Sequence, residues 1–139
     1  MAKGVSRVYV VDDDLSSRSA LGRLLKSAGF LAETFASAQE FLDHGPVEPE
    51  AVMILDVRMP GISGLELQKR LTASGKTPPI IFLTAFEDSQ ARRSALQSGA
   101  VAFLQKPVDE KVLFEAIQEA HGRDIEPAPA RLSGEEVPV

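Results

Sequence analysis

Val8-Tyr9-Val10-Val11-Asp12-Asp13-Asp14 is an apolar run of strand length that stops against three carboxylates. Ala51-Val52-Met53-Ile54-Leu55-Asp56 repeats the arrangement with a single carboxylate at its end. A strand buried on both faces is apolar at every position rather than at alternate ones, which marks the interior of a parallel sheet. Neither run is long enough to cross a bilayer.

Similar short runs lie at Leu31–Phe35, Ile80–Leu83 and Val101–Leu104. Between and after them come helical patterns near Ser16–Ala28, Ala38–His44, Gly64–Ser74, Ser89–Ser98 and Asp109–His121. In the first of these, Leu21, Leu24, Leu25 and Ala28 recur at i, i+3, i+4 and i+7 and form one stripe. Gly29, Gly75 and Gly99 each close a helical pattern before a strand, where a left-handed residue ends a helix. Ser37 with Glu40, and Ser63 with Glu66, have the spacing of capping boxes, and Asp14 is placed to cap the first helix. Strict β-α alternation predicts an α/β fold: a doubly wound, five-stranded parallel sheet with five helices. The expected domain spans residues 1–122. Residues 123–139 carry Pro127, Pro129 and Pro138 without an apolar period, and read as a disordered tail or the start of a linker.

A chain of 139 residues suits one domain with a tail. It has no cysteine, which excludes disulfides, Cys-ligated zinc and thiol chemistry. The formal net charge of −5 argues against nucleic-acid binding by the domain as a whole. No apolar stretch of signal-peptide length follows Lys3 and Arg7, so a cytoplasmic location is expected.

Open α/β sheets bind their ligands beyond the carboxyl ends of the strands. There the first strand delivers Asp12, Asp13 and Asp14, the third Asp56, the fourth Thr84, and the fifth Lys106 followed by Pro107. Two carboxylates about 4 Å apart repel by roughly 4 kcal/mol at an effective dielectric near 20. Converging acids therefore hold protons or gather a cation, and all-oxygen ligands suit a hard ion such as Mg²⁺. A carboxylate nucleophile, such a metal, a lysine and a hydroxyl are the equipment for transferring a phosphoryl group to an aspartate. Each residue alone has a plainer reading. An acidic cluster after a strand is most often a solvated turn, Asp56 a turn residue, Thr84 a strand end and Lys106 a surface lysine. Their shared position at strand ends is what favours the chemistry.

Residues 6–121 resemble the receiver domains of two-component response regulators. The resemblance rests on Val10-Val11-Asp12-Asp13-Asp14, Leu55-Asp56-Val57-Arg58-Met59-Pro60-Gly61 with Ser63-Gly64, Leu83-Thr84-Ala85 and Lys106-Pro107, and it is closest to FixJ-type receivers. It implies a flavodoxin- or CheY-like fold and a bacterial, cytoplasmic signalling switch linked to transcription regulation. It implies that Asp56 accepts a phosphoryl group from a sensor histidine kinase or phosphotransfer protein. Mg²⁺ (or Mn²⁺) would be held by Asp13, Asp56 and the Arg58 backbone carbonyl, with Asp12 acting through water. Thr84 matches the switch hydroxyl, Phe103 the rotating switch aromatic, Lys106 the lysine that pairs with the phosphoryl group, and Pro107 the residue after a cis peptide bond. For Phe103, ordinary core packing is compatible with that role.

FixJ-type regulators continue into a DNA-binding domain, so the chain reads either as a stand-alone receiver or as a piece of a longer regulator. Such a domain catalyses only its own phosphorylation and dephosphorylation. Two other classes share part of this equipment. A haloacid-dehalogenase-type phosphatase wants a second Asp two residues after the nucleophile, where this chain has Arg58. A pseudo-receiver would lack one of the acidic residues or Lys106, and none is missing. Phosphorylation-dependent homodimerisation is expected on the face of the fourth helix, fifth strand and fifth helix. There Leu113, Ala116, Ile117 and Ala120 should face the sheet, with Val112 and Phe114 flanking them; edge-filling of the core is the competing explanation for that pair.

Overall fold

The computed structural model describes residues 7–48, 50–75 and 77–125. Five strands alternate with five helices: β1 (Arg7–Val11), α1 (Leu15–Ser27), β2 (Leu31–Phe35), α2 (Ala38–His44), β3 (Val52–Leu55), α3 (Gly64–Ser74), β4 (Ile80–Thr84), α4 (Ser89–Gln97), β5 (Ala102–Gln105) and α5 (Glu110–Ile125). Each expected element is present, with ends moved by a few residues. Helix α5 runs to Ile125, past the boundary expected at residue 122, and residues 126–139 of the expected tail lie outside the described residues.

All strand pairs are parallel, in the order β2-β1-β3-β4-β5. The interior strands behave as their unbroken apolar runs require: every residue of β3 and β4 is buried. Side chains alternate between two cores. Val8, Val10, Val52, Ile54, Ile81 and Leu83 pack against Leu21 and Leu25 of α1 and Leu113 and Ile117 of α5. Tyr9, Val11, Met53, Leu55, Ile80 and Phe82 pack on the other face, against α2, α3 and α4. The expected α5 stripe of Leu113, Ala116, Ile117 and Ala120 is buried. Of its flanking residues, Phe114 turns towards Phe30 with ring centroids 6.1 Å apart, and Val112 stays 42% exposed.

The punctuation matches the sequence expectations. Asp14 Oδ2 accepts from Ser17 N–H, Ser37 Oγ from Glu40 N–H and Ser63 Oγ from Glu66 N–H. The reciprocal half of each box differs. The Glu40 carboxylate accepts from Ala36 N–H, one residue before the cap, and Glu66 pairs with Arg70. Gly29, Gly75 and Gly99 all have positive φ. No helix among the described residues is long and apolar enough to cross a membrane.

Candidate functional site

The strand order reverses between β1 and β3, and the crevice at such a reversal is where doubly wound sheets bind ligands. Val11 pairs with Leu55 in the ladder, so the residues that follow, Asp12 and Asp56, leave adjacent strand ends side by side. Ladder-type bonds continue past the strands. Asp56 N–H donates to Val11 O at 3.0 Å and Asp12 N–H to Phe35 O at 3.1 Å. The β1–α1 turn is held by Asp12 Oδ1, which accepts from Asp14 N–H at 2.9 Å, and by Arg18, which donates to Asp12 O at 2.8 Å.

Carboxylate oxygens of Asp12, Asp13 and Asp56 come within 4.8 Å of one another. Asp12 and Asp56 are buried, whereas Asp13 is exposed. On the opposite side of the crevice, Lys106 Nζ donates to Asp12 Oδ2 at 2.7 Å and stands 3.8 Å from Asp56 Oδ2. The Lys106–Pro107 peptide is cis, as expected. Thr84 is the last residue of β4. Its buried hydroxyl accepts from Phe86 N–H at 3.3 Å, and its carbonyl accepts from Lys106 N–H at 2.8 Å. Phe103, half-buried on β5, lies on the α4 side of the sheet with its ring 5.9 Å from that of Phe82.

Burial pushes the Asp56 carboxyl up to about 6; the neighbouring Asp12 charge adds to this, and Lys106 offsets part of it. Three acids facing one lysine are an incompletely neutralised cluster. Such a group of carboxylate oxygens could hold a hard divalent cation.

The β3–α3 loop that carries Asp56 is tight. Gly64 N–H donates to Val57 O at 2.9 Å, and a Cβ built on Gly64 would lie 2.0 Å from the Asp56 carbonyl oxygen. Only glycine lets the start of α3 approach Asp56 this closely.

Sequence reasoning did not find the residues that tie this loop to its neighbours. The Arg58 guanidinium lies 4.8 Å from the Phe86 ring centroid and 3.4 Å from Asp88 Oδ2. Asp88 caps α4, its Oδ1 accepting from Ala91 N–H at 3.0 Å. That bond, reinforced by Arg58, holds the Asp88 carboxyl below its ordinary value. A capping residue type directly before the helical pattern at Ser89 was the available signal. Gln68, buried in α3, donates to Ala95 O of α4 at 3.1 Å, and no local pattern marks it.

Comparisons with known proteins agree with this fold. The family model described as "Response regulator receiver domain" matches residues 8–118. The chain is 44% identical over 115 residues to the transcriptional regulatory protein TdiR of Thauera aromatica, covering 83% of this chain and 51% of the relative. It is 42% identical over 121 residues to the transcriptional regulatory protein FixJ of Bradyrhizobium diazoefficiens, covering 87% and 58%. The crystal structure of FixJ-N superposes with a TM-score of 0.79 at 34% identity, covering 85% of this chain and 94% of that one. The chain spans about half the length of the curated relatives it matches. A β2-β1-β3-β4-β5 sheet with its acidic crevice at the β1/β3 reversal, matched along nearly its whole described length, places the chain in the response regulator receiver domain family.

Proposed function

We propose that this receiver is a phosphorylation switch of a two-component system, with Asp56 as the acceptor. The observation that carries the proposal is the convergence of Asp12, Asp13 and Asp56 on one crevice with Lys106 set across it. A Asp56 Oδ atom attacks the phosphorus of a phosphohistidine donor. The P–N bond breaks, its electron pair returns to the imidazole, which takes up a proton, and an acyl phosphate remains on Asp56. Asp13, Asp56 and the Arg58 carbonyl would hold Mg²⁺ or Mn²⁺, with Asp12 acting through water. When bound, the cation offsets the charge of the incoming phosphoryl oxygens.

Lys106 supplies the protein's own cation beside the acceptor. The Thr84 hydroxyl, released from Phe86 N–H, donates to a phosphoryl oxygen as a charge-assisted partner. Phe103 then turns on the α4 side, and the face of α4, β5 and α5 becomes the surface that pairs with a second copy. The donor is a sensor histidine kinase or phosphotransfer protein in the cytoplasm. Any DNA binding belongs to an output domain outside this chain.

Intact mass after incubation with acetyl phosphate and Mg²⁺ tests the proposal. The expected result is one phosphate per chain, labile to hydroxylamine and absent from Asp56→Asn. Turnover of many equivalents of free phosphate would indicate a phosphatase, and a base-stable adduct would move the site to a hydroxyl such as Thr84.

A further inference from the structure

We infer that the Arg58 side chain is a latch that holds the β4–α4 loop in its resting position and must be released for the domain to switch. The inference rests on the phosphorylation reading above and names a restraint built into it. Arg58 stands two residues after the acceptor, and its side chain crosses from the β3–α3 loop to the β4–α4 loop.

The guanidinium meets two groups there, and each has a second task. Asp88 gives one carboxylate oxygen to Arg58 at 3.4 Å and the other to Ala91 N–H at 3.0 Å, so a single side chain both starts α4 and takes the latch. Phe86 gives its ring face to Arg58, while its N–H occupies the Thr84 hydroxyl at 3.3 Å. That hydroxyl is the group that has to turn towards a phosphorylated Asp56.

Phe86 is 53% exposed, so burial does not fix the loop, and the Arg58 guanidinium lies over its ring. Arg58 thus grips the loop at the residue that restrains Thr84 and at the residue that begins α4. Both contacts are solvent-exposed and individually weak. A restraint that phosphorylation must overcome has to be weak: a bias of about threefold to tenfold keeps the resting form dominant without blocking the switch.

Asp88→Asn tests this cleanly, because asparagine caps a helix as well as aspartate does but removes the charge partner of Arg58. Amide exchange at Ala91 and its neighbours in α4, measured without any phosphodonor, should speed up about threefold to tenfold in Asp88→Asn and in Arg58→Gln. The double variant should match the single ones rather than multiply their effects. The beryllofluoride concentration at half-response of the α4 amide shifts should fall by a similar factor in Asp88→Asn. Unchanged exchange in both single variants, or fully multiplicative effects in the double variant, overturns the latch. Failure of the parent protein to accept phosphate overturns the phosphorylation reading instead, and the exchange measurement still judges the restraint on the loop.

Discussion

The Lys106 ammonium hydrogen-bonds Asp12 at 2.7 Å and stands off from Asp56 at 3.8 Å, so it is committed to Asp12 rather than to Asp56. Phosphorylation of Asp56 would place a group of greater negative charge, with three acceptor oxygens, within reach of the same ammonium. Lys106 is therefore a counter-ion with a second partner in prospect, and before phosphorylation it partly neutralises the acidic crevice.

Removing that counter-ion should have opposite effects with and without metal. Lys106→Met leaves two buried carboxylates without their cation, and urea unfolding in EDTA should show a loss of about 1–3 kcal/mol. A unit charge removed at this range is worth on the order of 1–4 kcal/mol between aqueous and protein-surface dielectrics, so Mg²⁺ affinity should rise about fivefold or more. Asp13→Asn should move affinity the other way with the fold intact. Amide shifts followed through a Mg²⁺ titration measure both, and unchanged affinity in Lys106→Met would show that its charge does not act on the cluster.

Asp56 makes stability depend on pH. Its carboxyl titrates near 6 in the folded chain against an ordinary 3.8, so the folded state holds that proton more tightly than the unfolded one. The parent protein therefore loses stability as pH rises from about 4 through 6 and levels off above that. Asp56→Asn carries no such proton. Without metal it should be more stable than the parent by about 1–3 kcal/mol at pH 7, with the gap closing towards pH 4. Mg²⁺ should narrow the gap by stabilising the parent alone. A gap that is constant across this pH range would contradict the assignment.

The site was legible in the sequence to the extent that it depends on strand ends. Unbroken apolar runs identify buried parallel strands from local pattern alone, and the carboxyl-edge rule then gathers Asp12, Asp13, Asp56, Thr84 and Lys106 without any tertiary information. What was not legible depends on register and on side-chain reach. Lys106 follows β5, two strands from β3 and three from β1, so sheet order alone would favour Asp56, and the contact with Asp12 is a matter of side-chain reach. Arg58 read as a backbone ligand and as the residue that argues against a phosphatase. Its contacts with Phe86 and Asp88 span nearly thirty residues of chain, and no periodicity announces them. The turn of Phe114 towards Phe30 likewise reflects the end of α1, not the α5 pattern.

Two glycines give a matched pair of stability predictions. At Gly64 a methyl group would meet backbone atoms, at 2.0 Å from Asp56 O and 3.1 Å from Val57 Cα, and backbone cannot swing away. Gly64→Ala should cost about 3 kcal/mol and displace the acceptor loop. A Cβ built on Gly22, inside α1, would lie 3.4 Å from Thr34 Cγ2, its nearest neighbour, an ordinary contact. Gly22→Ala should stabilise by about 0.5–1 kcal/mol through helix propensity. Thermal or urea unfolding separates the two, and equal effects would show that the close approach at Gly64 is not what requires a glycine there.

The last prediction concerns how a change at Asp56 reaches the surface. Thr84 is 1% exposed, and its hydroxyl accepts from Phe86 N–H, so turning it to donate its own proton to a phosphorylated Asp56 has to strain that bond. Phe103, opposite Phe82 in the β4–β5 ladder, is only partly buried, and a cleft of about 160 Å³ is lined by Phe86, Asp88, Arg92, Phe103 and Gln105. Arg92 of α4 donates to the Phe103 carbonyl at 3.2 Å, which links this strand residue to the helix. Movement of Thr84 towards the phosphoryl group would free space on the inner side of Phe103, and rotation of the ring would remodel the cleft at the start of α4. Thr84→Ala should therefore still take a phosphate on Asp56 but lose the response of α4. Phe103→Ala should lose the response as well, with about 1–3 kcal/mol less stability from the packing it gives up. Light scattering should show a beryllofluoride-dependent dimer in the parent and a monomer in both variants. Amide shifts of α4 with and without beryllofluoride give the direct reading, and a Thr84→Ala domain whose α4 shifts match the parent's would show that the signal leaves the site by another route.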